Sequence, residues 1–85
     1  MPKYLMILPT SLLCSDFHVA MNRELRQNGL QPEYEIRVPY VRQVCKRNAI
    51  PYKEEMCILN AGKKTGSFVK NVLEGYGCSI VSEVD

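Results

Sequence analysis

Histidine occurs once, at His18, and the four cysteines, Cys14, Cys45, Cys57 and Cys78, are widely spaced with no Cys-x-x-Cys among them. Zinc sites and thioredoxin-type centres are written as clustered ligands at short spacing, so neither is encoded here and no cofactor is expected. Each cysteine falls in or beside an apolar stretch, where a free thiol behaves as a small hydrophobe; a pair of disulfides would require secretion, which nothing marks. No apolar run approaches the roughly 18 residues of a membrane span, and the N-terminus lacks the basic start and cleavage pattern of a signal peptide. The expectation is a cytoplasmic protein with no membrane partner.

Nucleotide hydrolysis also lacks its signature. A Walker A motif needs Gly-x-x-x-x-Gly-Lys-Ser/Thr, whereas here Lys63 and Lys64 precede the second glycine, Gly66, which runs into Ser67-Phe68. Cys14 stands ahead of a predicted helix with His18 four residues on, but there is no arginine at phosphatase spacing and no paired carboxylate beside it. A non-enzymatic chain is therefore expected.

What the sequence does contain is a hydrophobic fraction of 46%, ordinary for a globular protein, in clusters at Tyr4–Leu8, Met56–Leu59 and Val69–Leu73. One compact domain spanning residues 1–85 is the reading. Tyr4–Leu8 is a short strand ended by Pro9. Phe17, Ala20, Met21 and Leu25 share one helical face behind a cap at Ser15 or Asp16, and Asn28-Gly29 supplies the stop. Tyr34–Val38 alternates as a strand with one wet face, near the sheet's edge. After Pro39, Val41, Val44 and Cys45 form the inner face of a short helix whose Arg42, Lys46 and Arg47 point to water. A third strand runs through Lys53–Asn60, and Met56–Leu59 suits a position covered on both faces. Val69, Val72, Leu73 and Tyr76 mark a third helix, and Cys78–Val84 a fourth strand with Cys78, Ile80 and Val84 on one side.

The order β-α-β-α-β-α-β predicts an α/β domain with a four-stranded, largely parallel sheet. If the middle helix is no crossover, the pattern becomes the ferredoxin-like plait, the alternative fold. In a parallel sheet the loop Thr10–Ser15 and the stretch Asn60–Ser67 would gather at one edge, with Thr10, Ser11, Cys14 and Asn60 lining a pocket.

Function points to the glycine-containing stretch Gly62-Lys63-Lys64-Thr65-Gly66-Ser67. Read as a turn leading into a helix N-terminus, it offers unpaired amides, two lysines and two hydroxyls, the makings of an anion site. Charge supports this: residues 37–70 hold eight lysines and arginines against two glutamates, a net +6, while the remainder holds three cations against seven acids, a net −4.

Gly66, the Val69-Lys70-x-Val72 helix and the exit Gly77-Cys78-Ser79-Ile80 resemble the KH RNA-binding module, although Gly62-x-x-x-Gly66 is one residue longer than that module's loop. Glu24-Leu25-Arg26-x-x-Gly29 and Ile50-Pro51-Tyr52 are more loosely similar to the anticodon-binding domain of aminoacyl-tRNA synthetases. Both resemblances imply an RNA partner. The expectation is a binding domain for RNA phosphate that uses Lys63, Lys64, Thr65, Gly66 and Ser67, extended by Arg37, Arg42, Lys46 and Arg47, with Tyr40 or Tyr52 available to stack on bases. The alternative is a small protein-binding regulator, inhibitor or subunit that docks through its basic face or an edge strand.

Overall fold

The computed structural model describes residues 3–8, 12 and 14–84. Its elements are β1 (Lys3–Ile7), α1 (Ser15–Gln27), β2 (Tyr34–Arg37), α2 (Val41–Arg47), β3 (Met56–Ala61), α3 (Lys63–Gly75) and β4 (Ser79–Val84). The strands form one sheet in the order β2-β3-β1-β4, and every neighbouring pair is antiparallel.

The largely parallel sheet is therefore corrected, and the ferredoxin-like alternative fits. The strands joined by α1, β1 and β2, do run parallel to each other, as do β3 and β4, joined by α3. A strand of the other unit lies between the members of each pair, so no two parallel strands touch. Alternation along the chain is the same in both arrangements and does not distinguish them. The seven-residue α2 is no crossover: it joins the adjacent antiparallel strands β2 and β3.

Both faces of the sheet carry a core. On one, Met6, Leu8, Cys57 and Leu59 pack with Met21 and Leu25 of α1 and Val69 and Leu73 of α3. On the other, Leu5, Met56, Ile58 and Val84 pack with Val41, Val44 and Cys45 of α2. This explains the unbroken run Met-Cys-Ile-Leu in β3, whose alternate residues serve opposite layers. In β4, Ile80 stands opposite Met6 and Ser82 opposite Leu5, which leaves Val81 as an extra residue. The bulge turns Cys78 and Ile80 to the α1–α3 side and Val84 to the α2 side, where simple alternation had placed all three together.

The three α-helices among the described residues end in the same six-residue motif. The amides of Leu30, Ile50 and Cys78 donate to the carbonyls of Leu25, Cys45 and Leu73, and those of Gly29, Ala49 and Gly77 donate to Arg26, Lys46 and Glu74. The pivot residue must be left-handed, and φ is 71° at Gly29, 55° at Ala49 and 88° at Gly77. In α2 alone an alanine bears that conformation.

Candidate nucleic-acid interface

The stretch Gly62–Gly66, expected as a turn, is helix. Its first residue, Gly62, is the N-cap of α3 and the helix begins at Lys63. The Gly66 amide donates to the Gly62 carbonyl at 2.7 Å, so it is not open to an anion. Only the amides of the first three helical residues lack an intrahelical acceptor. Thr65 is buried and its Oγ1 donates to the Gln31 carbonyl at 3.1 Å, tying α3 to the α1–β2 connection. Gly66 is there for space: a Cβ on it would stand 3.3 Å from Tyr4 Cε2 and 3.5 Å from Ala61 Cβ. Lys63, Lys64 and Ser67 are exposed. The depression beside this helix start, about 300 Å³, is lined by Glu33 and Glu35 together with Tyr34, Asn60 and Thr65, and two carboxylates disfavour an anion there.

The antiparallel sheet also separates the loops that a parallel one would have gathered. Ile7 pairs with Met56 and Lys3 with Asn60, so the chain leaves β1 and β3 at opposite ends of the sheet. Cys14, the N-cap of α1 in place of the expected Ser15 or Asp16, is thus remote from Lys63, while Thr10 and Ser11 lie outside the described residues. His18 is turned towards β2, with Nδ1 2.8 Å from the Tyr34 hydroxyl. Burial raises the Tyr34 hydroxyl above its ordinary pKa. Cys45, Cys57 and Cys78 are buried, Cys14 is exposed, and all four are free thiols. Burial pushes the Cys57 thiol up to about 12, with the Cys78 thiol adding to the shift. Among the described residues no three His, Cys, Asp or Glu side chains come together to hold a metal, and no helix is long and apolar enough to cross a membrane.

The cationic side chains that do converge come from three elements. Across the sheet, Lys3, Asn60 and Glu35 stand in one row and Leu5, Ile58 and Arg37 in the next, all on the α2 side. The hydrophobic residues of α2 cover Leu5 and Ile58 of the second row, while Lys3 and Asn60 of the first stay open as the floor of a groove. This groove, about 230 Å³, is lined by Lys3, Arg37, Arg47, Tyr40, Gln43 and Asn60, with Pro39, Val44 and Ile58. No carboxylate among the described residues lines it. Arg37 makes only a loose 3.8 Å contact with Glu35, both side chains being more than half exposed, so its charge is not consumed. Asn60 Oδ1 is buried without a hydrogen-bond partner among the described residues.

Tyr40 forms the rim. It is 63% exposed and holds the left-handed conformation, φ 71° and ψ 3°, at the N-cap of α2. That geometry costs a side-chain-bearing residue roughly 1–2 kcal/mol and is ordinarily left to glycine or asparagine. Beyond Tyr40 lies a second, shallower depression shared with Val38, Arg42, Gln43 and Tyr52, in which the Arg42 guanidinium sits 4.5 Å from the Tyr52 ring centroid. Of the expected contacts, Arg37 and Arg47 line the groove, Arg42 belongs to this outer shelf, and Lys46 is exposed on α2. Lys3 was missed by sequence reasoning, and Asn60 was expected in a pocket with Thr10, Ser11 and Cys14 rather than beside Arg37, because only strand order brings the three together. The alternation Lys3-Tyr4-Leu5 carried the one available signal, that Lys3 shares a parity with Leu5 in an apolar strand.

Compared with protein-family models, curated proteins and solved structures, the chain matches none.

Proposed function

We propose that the protein binds single-stranded RNA along the groove between α2 and the open end of the sheet, with Tyr40 stacking on a base. The observation that carries this reading is the coincidence, on one rim, of three convergent cations and a tyrosine kept exposed in a strained backbone. Strain of this kind persists where the surroundings enforce it and gathers at working surfaces. A flat ring beside Lys3, Arg37 and Arg47 suits a ligand that alternates phosphates with bases, and the Arg42–Tyr52 shelf continues the same track.

Fluorescence anisotropy with a labelled oligouridine and with polyglutamate, over a salt series, tests this. Three phosphate contacts on a single strand correspond to a slope of about −2 in log affinity against log salt, or roughly 20-fold weaker binding between about 50 and 200 mM. Arg47→Glu and Tyr40→Gly weaken RNA binding, while Lys63→Glu/Lys64→Glu leaves most of it. Tyr40→Gly also relieves the backbone, so the variant that binds worse is the one that melts higher. No RNA binding at low salt, or equal binding of polyglutamate, overturns the reading.

A further inference from the structure

The sheet has two outer strands, β2 and β4, and β2 alone carries charges that complement its own antiparallel copy. We infer that the protein self-associates through β2, two copies aligning antiparallel about Ile36 so that their sheets merge into one of eight strands.

Register selects this arrangement. Glu35 and Arg37 lie on the α2 side of β2, while Tyr34 and Ile36 pack against the α1–α3 core. With Ile36 opposite Ile36 of the copy, Glu35 faces Arg37 of the copy, Arg37 faces Glu35, and both pairs lie on the same face. Directly opposed side chains in such a ladder have Cβ atoms about 4.5–5.5 Å apart, close enough for both ion pairs. On the other face Val38, which is 45% exposed, comes opposite Tyr34. Sliding by one residue sets polar positions against apolar ones and mismatches the two sheet faces. Sliding so that Glu35 or Arg37 meets itself places like charges opposite each other. The intrachain Arg37–Glu35 contact, at 3.8 Å between exposed groups, is weak enough to rearrange.

Pro32 and Pro39 bracket the strand, and proline cannot donate to a ladder, so the junction is confined to residues 34–38 and the dimer is a weak one. By contrast β4 is bulged, and its single charged residue, Glu83, finds no opposite charge in a copy of the same strand.

Sedimentation equilibrium without nucleic acid, from about 20 μM to about 1 mM, reads the association directly and independently of RNA binding. The wild-type mass rises toward twice the monomer value. Glu35→Arg and Arg37→Glu, each of which sets two like-charge pairs across the junction, weaken dimerisation by about tenfold, and the combined swap restores it to within about threefold. Both side chains are exposed, and circular dichroism confirms that each variant is folded before it is weighed. A monomer throughout the range, singles that dimerise like wild type, or a swap that fails to restore association would each overturn the inference. Dimerisation unaffected by either single would place the contact elsewhere, and a monomer that gains mass only with an added extended peptide would assign the edge to a foreign strand.

Discussion

Replacing Gly66 by alanine sets two effects of similar size against each other. Gly66 is the fourth residue of α3 and buried, with no positive φ to protect. Alanine in a helix is favoured over glycine by about 1 kcal/mol. Against this, the new methyl stands 3.3 Å from Tyr4 Cε2, so the ring must yield by a few tenths of an ångström, while its 3.5 and 3.8 Å approaches to Ala61 are ordinary contacts. Tyr4 is half-buried and Lys70 Nζ stands 5.4 Å from its ring centroid, an interaction of roughly 0.5–1 kcal/mol that resists a tilt. Gly66→Ala alone should therefore change stability by less than about 0.5 kcal/mol, the propensity gain being spent on displacing the ring. In a Tyr4→Leu background Cε2 is gone and the same substitution should stabilise by about 1 kcal/mol, or 4–8 °C in Tm for a domain of this size. Urea unfolding followed by circular dichroism, with midpoints compared at constant slope, completes the double-mutant cycle. Equal effects in the two backgrounds would refute the argument, because they would show that β3 rather than the tyrosine limits the space at Gly66.

At the helix ends, Ala49→Gly should stabilise by about 1 kcal/mol by relieving the left-handed alanine, whereas Gly77→Ala should destabilise by about the same amount; thermal melts of the pair check both signs. Thr65→Val keeps the side-chain shape but removes the Gln31 hydrogen bond, an expected loss of about 1 kcal/mol with RNA affinity unchanged, so a fall in affinity without a fall in Tm would return Thr65 to the binding surface. Ellman's reagent at neutral pH should react promptly with Cys14 alone, the other three thiols reacting only on unfolding. Because the folded state holds Cys57 protonated up to about 12 while the unfolded thiol ionises near 9.0, stability should be flat below that lower value and decline as pH rises between the two; a Cys57→Ala variant should lose part of that decline.

Sequence periodicity located all seven elements because each rests on local information: an alternation, a helical stripe, a proline or a glycine at its end. Strand order rests on none of these. Lys3 and Arg37 are 34 residues apart, and nothing in either segment records that β3 runs between them. The error at Gly66 has a different origin. A glycine in an anion-binding turn and one needed because a tyrosine edge lies against it are the same letter, and the neighbouring lysines point to the turn. The basic character of residues 37–47, Arg37 and Arg47 included, was legible as composition, but the groove was not, since its third cation, Lys3, comes from β1 and only strand order sets it beside them.

The interleaving of the two β-α-β units has a consequence for how the chain must acquire its structure. Within the first unit β1 and β2 are not neighbours; both wait for β3, and β1 needs β4 as well to be covered on its other side. Neither unit can assemble a sheet of its own: β2 and β3 can pair across α2, but β1 has no partner until the chain has looped back from Ala61 to Lys3. Loop closure over such a span precedes most of the energetic return, which makes a small domain slower to fold than its helix content suggests. The same interlock makes the finished sheet cooperative, because withdrawing β3 breaks both of its strand pairings and opens the two cores at once.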